Sequence, residues 1–177
     1  SFGFENGAFG LVEDTSASLL AVVGSAIAVL FAPLGFGQWQ PVASSISGFT
    51  AKEAIVTTMG VLANVSEDLV EDTGAVAAAV GTWFPCAAAG FSFLVFNLLN
   101  SPCLAAIATM AKEMQDRKWF WFAILYQNIF AYAVALIVYQ LGGLAAGQVA
   151  VNPWTFIALA VLAVILFLLF RPDPYKA

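Results

Sequence analysis

The chain has 177 residues, 62% of them hydrophobic and only 10% charged, with a formal net charge of −5 and no histidine. Ordinary soluble domains carry about 45–50% apolar and about 25% charged residues, so a chain this apolar needs lipid as its solvent; a disordered chain, a nucleic-acid reader and an ordinary cytosolic enzyme are excluded. Without histidine the commonest general base and metal ligand is gone, and two cysteines cannot frame a disulfide-stapled fold.

A spanning helix needs ~20 residues, and the length accommodates about five. The expected fold class is therefore all-α: one polytopic transmembrane domain over residues 1–177, with two of its spans polar or broken near the midplane. Residues 1–16 read as loop sequence carrying Glu5, Glu13 and Asp14. They start with Ser and lack the basic n-region of a signal peptide, which points to a piece of a longer chain. Residues 17–34 are uncharged and end at Pro33 and Gly35, a helix stop; they form the first expected span.

Pro41 opens the second expected span, 41–63. It holds Ser44, Ser45, Ser47, Thr50, Lys52, Glu53, Thr57 and Thr58, so it faces protein or a wet cavity rather than lipid. The acidic run 66–72 follows, then an Ala-rich stretch suited to a short surface helix. The third span, 85–111, is interrupted by Asn100-Ser101-Pro102-Cys103. A charged loop, 112–118, leads to the fourth span, 119–141, with Trp119, Trp121 and Tyr139 near its ends, where interfacial aromatics belong. Residues 153–170 form the fifth and most apolar span.

Basic residues fix an expected orientation. Lys112, Arg117 and Lys118 precede the fourth span, and Arg171 and Lys176 follow the fifth. Two helices separate these groups, so both lie on one side, which the positive-inside rule makes cytoplasmic. The acidic segments 1–16 and 66–72 then lie outside.

Glu53 falls midway along 41–63, and Cys103 falls midway along 91–113. A charge at that depth costs at least ~2.5–3.5 kcal/mol on insertion scales. Pro102 withdraws an N–H and crowds the carbonyl of Leu98, a change worth ~3 kcal/mol in a soluble helix. Discontinuous helices at the midplane are a recurring transporter device. Cys103 and Glu53 thus line a candidate pathway for a polar solute, with the hydroxyls of Thr50 and Ser47 and the carbonyls of Leu98 and Leu99 beside them. A plain packing role stays open: Lys52 and Glu53 pair with other helices, and Cys103 acts as a small hydrophobe. Gln127 and Asn128 read as interhelical hydrogen-bond partners. Cys86 lies about 25 Å from Cys103 along a helix, too far for a disulfide, so two free thiols are expected. No phosphate-loop, H-E-x-x-H, CxxC or nucleophile-elbow pattern occurs, so no enzymatic activity is assigned to this chain.

Two groups of residues carry a family resemblance. The run Phe31-Ala-Pro-Leu-Gly-Phe-Gly-Gln-Trp-Gln40 with Gly48-Phe-Thr-Ala-Lys-Glu53 is the first. The second is Asn100-Ser-Pro-Cys103 with Arg117-Lys-Trp119, Tyr126-Gln127 and Tyr139-Gln140. Together they resemble the second gate segment of the bacterial ferrous iron transport protein B family, from about residue 17 to 141. The resemblance implies a gate-like segment at 17–111, two C-terminal spanning helices within 119–170, and a multi-pass protein of the bacterial inner membrane with a cytoplasmic C-terminus. It implies Fe²⁺ as the transported ion, with Cys103 carried over from the Pro-Cys element and Glu53 from the Ala-Lys-Glu element.

GTP would bind only in an N-terminal domain that this sequence does not contain. That domain, a first gate segment, membrane lipid and further copies of the chain are the implied partners; nucleic acid is not among them. Cys86 matches no motif of the family. Two other functions stay open: a gate-type carrier of nucleosides or other solutes, and a structural membrane subunit.

Overall fold

The computed structural model describes residues 2–5, 8–11, 19–63 and 73–171. The acidic run 66–72 and Lys176 lie outside the described residues. The chain is helical as expected, apart from a short antiparallel hairpin in a region read as loop. Its strands are β1 (Phe2–Glu5) and β2 (Ala8–Leu11), with Phe2 opposite Leu11.

Helix α1 (Leu19–Phe31) runs into a 3₁₀ turn at Ala32–Leu34 and stops at Gly35, whose φ is +87°. Gly is required there twice over: the left-handed backbone disfavours a side chain, and a Cβ would collide with the Tyr139 ring. Helix α2 (Trp39–Gly48) then turns back, bent 100° from α1. Its serines bond within the helix. Ser44, Ser45 and Ser47 each donate to the carbonyl four residues earlier, at 2.9, 3.1 and 3.2 Å.

The expected second span is therefore not one helix. It breaks after α2 and resumes as α3 (Ala54–Leu62). Gly48 lets the two pieces fold close together, since a Cβ there would lie 2.5 Å from Ile55 Cγ1. Helix α4 (Thr73–Gly81) matches the Ala-rich stretch.

Helices α5 (Ala87–Leu99) and α6 (Leu104–Glu113) make one span broken at residues 100–103. Helix α7 (Arg117–Ile137) continues through a π-helical turn, Val138–Gly142, into α8 (Gly143–Ala145). Helix α9 (Pro153–Phe170) begins at a capping box formed by Asn152 and Thr155. Among the described residues three helices are long and apolar enough to cross a membrane, or four counting the bent α1–α2 pair as one. About five were expected; the lower count arises because residues 17–63 form a bent pair and a short third helix rather than two straight spans.

The core gathers where the α1–α2 turn meets α5 and α7. Leu34 and Phe36 are fully buried. The Phe36 ring meets Phe93 edge-on at 5.4 Å, and Phe31 meets Phe96 at 5.1 Å. Gln140, buried on the π turn, donates to Pro33 O at 2.9 Å and accepts from Thr155 at 3.2 Å. One amide thus ties the first turn, α7 and α9 together. Large apolar side chains on α7 and α9, such as Ile129, Phe156 and Leu169, stay exposed, as surfaces solvated by acyl chains do.

Candidate functional site

The two helix breaks meet. Asn100, with ψ of 174°, takes α5 out of helical geometry, and Pro102 has no N–H to return to Leu98. The chain restarts at Leu104, whose N–H donates to Phe49 O at 2.9 Å. Phe49 is the residue at which α2 ends. A single backbone hydrogen bond therefore stitches the break 100–103 to the break 49–53.

Backbone groups freed inside a membrane must find partners, and Lys52 supplies one. Its ammonium donates to Asn97 O at 2.9 Å and to Leu98 O at 3.3 Å. A cation at a helix C-terminus also complements the helix dipole. The Leu98 carbonyl is accordingly not free, as the sequence had led us to expect; the lysine next to Glu53 holds it.

Further bonds fix the break. Asn128 on α7 donates to the buried Ser101 hydroxyl and, at 2.8 Å, to Ile124 O. The interhelical role expected of Asn128 is thereby accounted for. Ser92 donates to Ala135 O at 2.9 Å and anchors α5 to α7.

A cavity of about 580 Å³ opens between the breaks. Its walls include Thr50, Lys52, Glu53, Asn100, Cys103 and Gln127. Thr50 and Glu53 are exposed, and Cys103 is half-buried at the start of α6 with its thiol free. Among the described residues the Glu53 carboxylate has neither a hydrogen bond nor an ion pair. Three of the four candidate residues, Cys103, Glu53 and Thr50, thus line one cavity. Ser47 does not; its hydroxyl is bound to Ala43 O within α2. Gln127, read from the sequence as an interhelical hydrogen-bond partner, and Asn100, read only as part of the break, line the cavity as well. Their polarity on otherwise apolar helices was the available signal. Cys86 sits at the start of α5, also with a free thiol, and outside this cavity.

The wall offers one thiol, one carboxylate, one hydroxyl and two amides. Among the described residues no three His, Cys, Asp or Glu side chains come together to hold a metal. The chemistry is that of a sparse set of polar groups rather than of a closed metal centre. A larger groove of about 660 Å³ between α7 and α9 is lined by side chains such as Phe130, Val161 and Leu168, and it suits acyl chains.

Comparison with known proteins adds three relatives and one family. Residues 8–117 match the family called Gate and described as nucleoside recognition. The chain is 36% identical over 138 residues to the Fe(2+) transporter FeoB of Staphylococcus aureus, which covers 78% of this chain and 20% of that protein. It is 33% identical over 127 residues to the Fe(2+) transporter FeoB of Methanocaldococcus jannaschii, covering 72% and 18%. It is 28% identical over 144 residues to the Fe(2+) transport protein A/Fe(2+) transporter FeoB fusion protein of Porphyromonas gingivalis, covering 74% and 16%. The chain spans about a fifth of the length of these curated relatives. No solved structure matches it.

Proposed function

Because the chain belongs to the Gate family, we propose that it supplies half of the Fe²⁺ path of a ferrous iron importer. The observation that carries this reading is the joining of two helix breaks around one cavity that presents a carboxylate and a thiol. Fe²⁺ is intermediate in its ligand preferences and accepts both. Conduction needs sites weak enough to release the ion, and Glu53, Cys103, the Thr50 hydroxyl and the amides of Asn100 and Gln127 form such a set. The likeness to proteins named Fe(2+) transporter supports the choice of ion.

In this reading residues 17–111 are the gate-like unit and the helices within 119–170 buttress it. The protein lies in the bacterial inner membrane with Lys112–Lys118 and the C-terminus cytoplasmic. The remaining length of such relatives leaves room for a GTP-binding domain and the first gate segment as partners. A nucleoside carrier is the rival that the Gate description favours.

Uptake by iron-starved cells producing the natural full-length protein separates the two. Radiolabelled Fe²⁺ should accumulate and be unaffected by excess nucleoside. Nucleoside uptake without Fe²⁺ uptake would replace this reading with the rival.

A further inference from the structure

The Lys52 ammonium occupies the place that an incoming cation would want. The C-terminal carbonyls of a helix carry the negative end of its dipole; Pro102 has no N–H for Leu98, and the extended Asn100 ends α5 before a helical donor can reach Asn97. Leu98 lines the cavity that also holds Cys103, and Asn97 precedes it in α5. Carbonyls of this kind are the usual cation contacts in a broken transport helix. Here the chain's own cation fills them, at 2.9 and 3.3 Å.

Next to it stands Glu53, exposed and without a partner among the described residues. The two adjacent opposite charges do not pair with each other. Lys52 reaches toward α5, while the carboxylate is left facing the cavity.

We propose that Lys52 is a tethered cation that keeps the α5 carbonyls closed to the transported ion, and that the ion enters when the ammonium leaves Asn97 and Leu98 for the Glu53 carboxylate. The proposal rests on the cation-path reading above. It makes Lys52 a positioning and gating residue rather than an ion ligand. It also balances the charge of the path: the resting cavity is neutral in Lys52 and Glu53, and the exchange frees two carbonyls without leaving a bare ammonium.

The test uses the natural full-length protein carrying Cys86→Ser in native membranes, so that alkylation at the cavity reports Cys103. Fe²⁺, kept reduced with ascorbate under anoxic conditions, is titrated against N-ethylmaleimide labelling. Lys52→Gln keeps N–H donors for the two carbonyls and removes the charge. It should lower the Fe²⁺ concentration for half-protection by ~10-fold or more, because a unit charge at contact range is worth at least that factor at a protein surface. Lys52→Arg keeps the charge and should need no less Fe²⁺ than the unaltered protein.

Equal midpoints for Lys52 and Lys52→Gln would overturn the gate and leave the path standing. Loss of folded protein in Lys52→Gln with normal levels of Lys52→Arg would make Lys52 a structural cap and also overturn it. Absence of Fe²⁺ protection in every variant, the unaltered protein included, would remove the cation path itself.

Discussion

The backbone N–H of Leu104 donates to the carbonyl of Phe49 at 2.9 Å, and this bond joins two helix ends that lie far apart in the chain. Phe49 closes α2 and Leu104 opens α6. Neither break is solvated by its own helix, so each completes the other. The cavity between them exists because both helices stop at the same place.

Glu53→Gln should reduce Fe²⁺ uptake and leave the amount of protein in the membrane unchanged. The carboxylate is exposed and has no partner among the described residues, so no buried charge is stranded when it is neutralised. Membrane immunoblots and radiolabelled uptake measure the two quantities. Normal uptake at a normal protein level would remove Glu53 from the path.

Asn128→Ala should destabilise the protein by about 1–3 kcal/mol, the usual consequence of leaving a buried polar group unpaired. Ser101 is 2% exposed and receives the Asn128 amide. Thermal unfolding in detergent reads the loss as a lowered Tm. An unchanged Tm would mean that the 100–103 break does not depend on α7.

Gly35→Ala should also destabilise, by ~1–2 kcal/mol for the left-handed backbone alone and further through the collision with Tyr139. Adding Tyr139→Ala relieves only the collision, so the double variant should unfold at a temperature above Gly35→Ala and below the unaltered protein. A single variant as stable as the original would show that the turn after α1 tolerates another geometry.

Part of this architecture was legible from residue types alone. Pro153 and Arg171 bracket α9 where the structure places it, Pro33 and Gly35 end the first helix, and Pro102 breaks the third span. Each is a local signal with a local effect. The break after Phe49 was not legible, because no proline marks it. Its supports are the Leu104 N–H and the reach of Lys52 to a carbonyl 45 residues away, and such contacts leave no trace in periodicity. The π turn that aims Gln140 at Pro33 is equally silent in a hydropathy pattern. The hairpin at residues 2–11 did have a signal, since Asn6-Gly7 between the strands is a strong short-range hairpin marker. In the site, residue chemistry brought Cys103 and Glu53 to notice. The partner of Lys52 needed the fold.

The proposed orientation puts the Lys112–Lys118 loop and the C-terminal end on the cytoplasmic side. In a cysteine-free background an impermeant maleimide applied to intact spheroplasts should spare Gln115→Cys and label Ala150→Cys; both positions are exposed. The reverse pattern would invert the topology and move the basic loop outside.

Fe²⁺ uptake by Cys103→Ser, with Cys86→Ser beside it, tests the central claim most directly. Both cysteines are free thiols of intermediate exposure, but only Cys103 lines the cavity between the breaks. Serine keeps the size and loses the thiolate that binds metal. In the natural full-length protein, Cys103→Ser should lower Fe²⁺ uptake by at least ~10-fold, a loss that even outer-shell partners of metal sites show, while Cys86→Ser transports normally. Unaltered Fe²⁺ uptake by Cys103→Ser, at a normal level of protein in the membrane, would contradict the account: the thiol would be a packing group, and the ion would not pass between these two breaks.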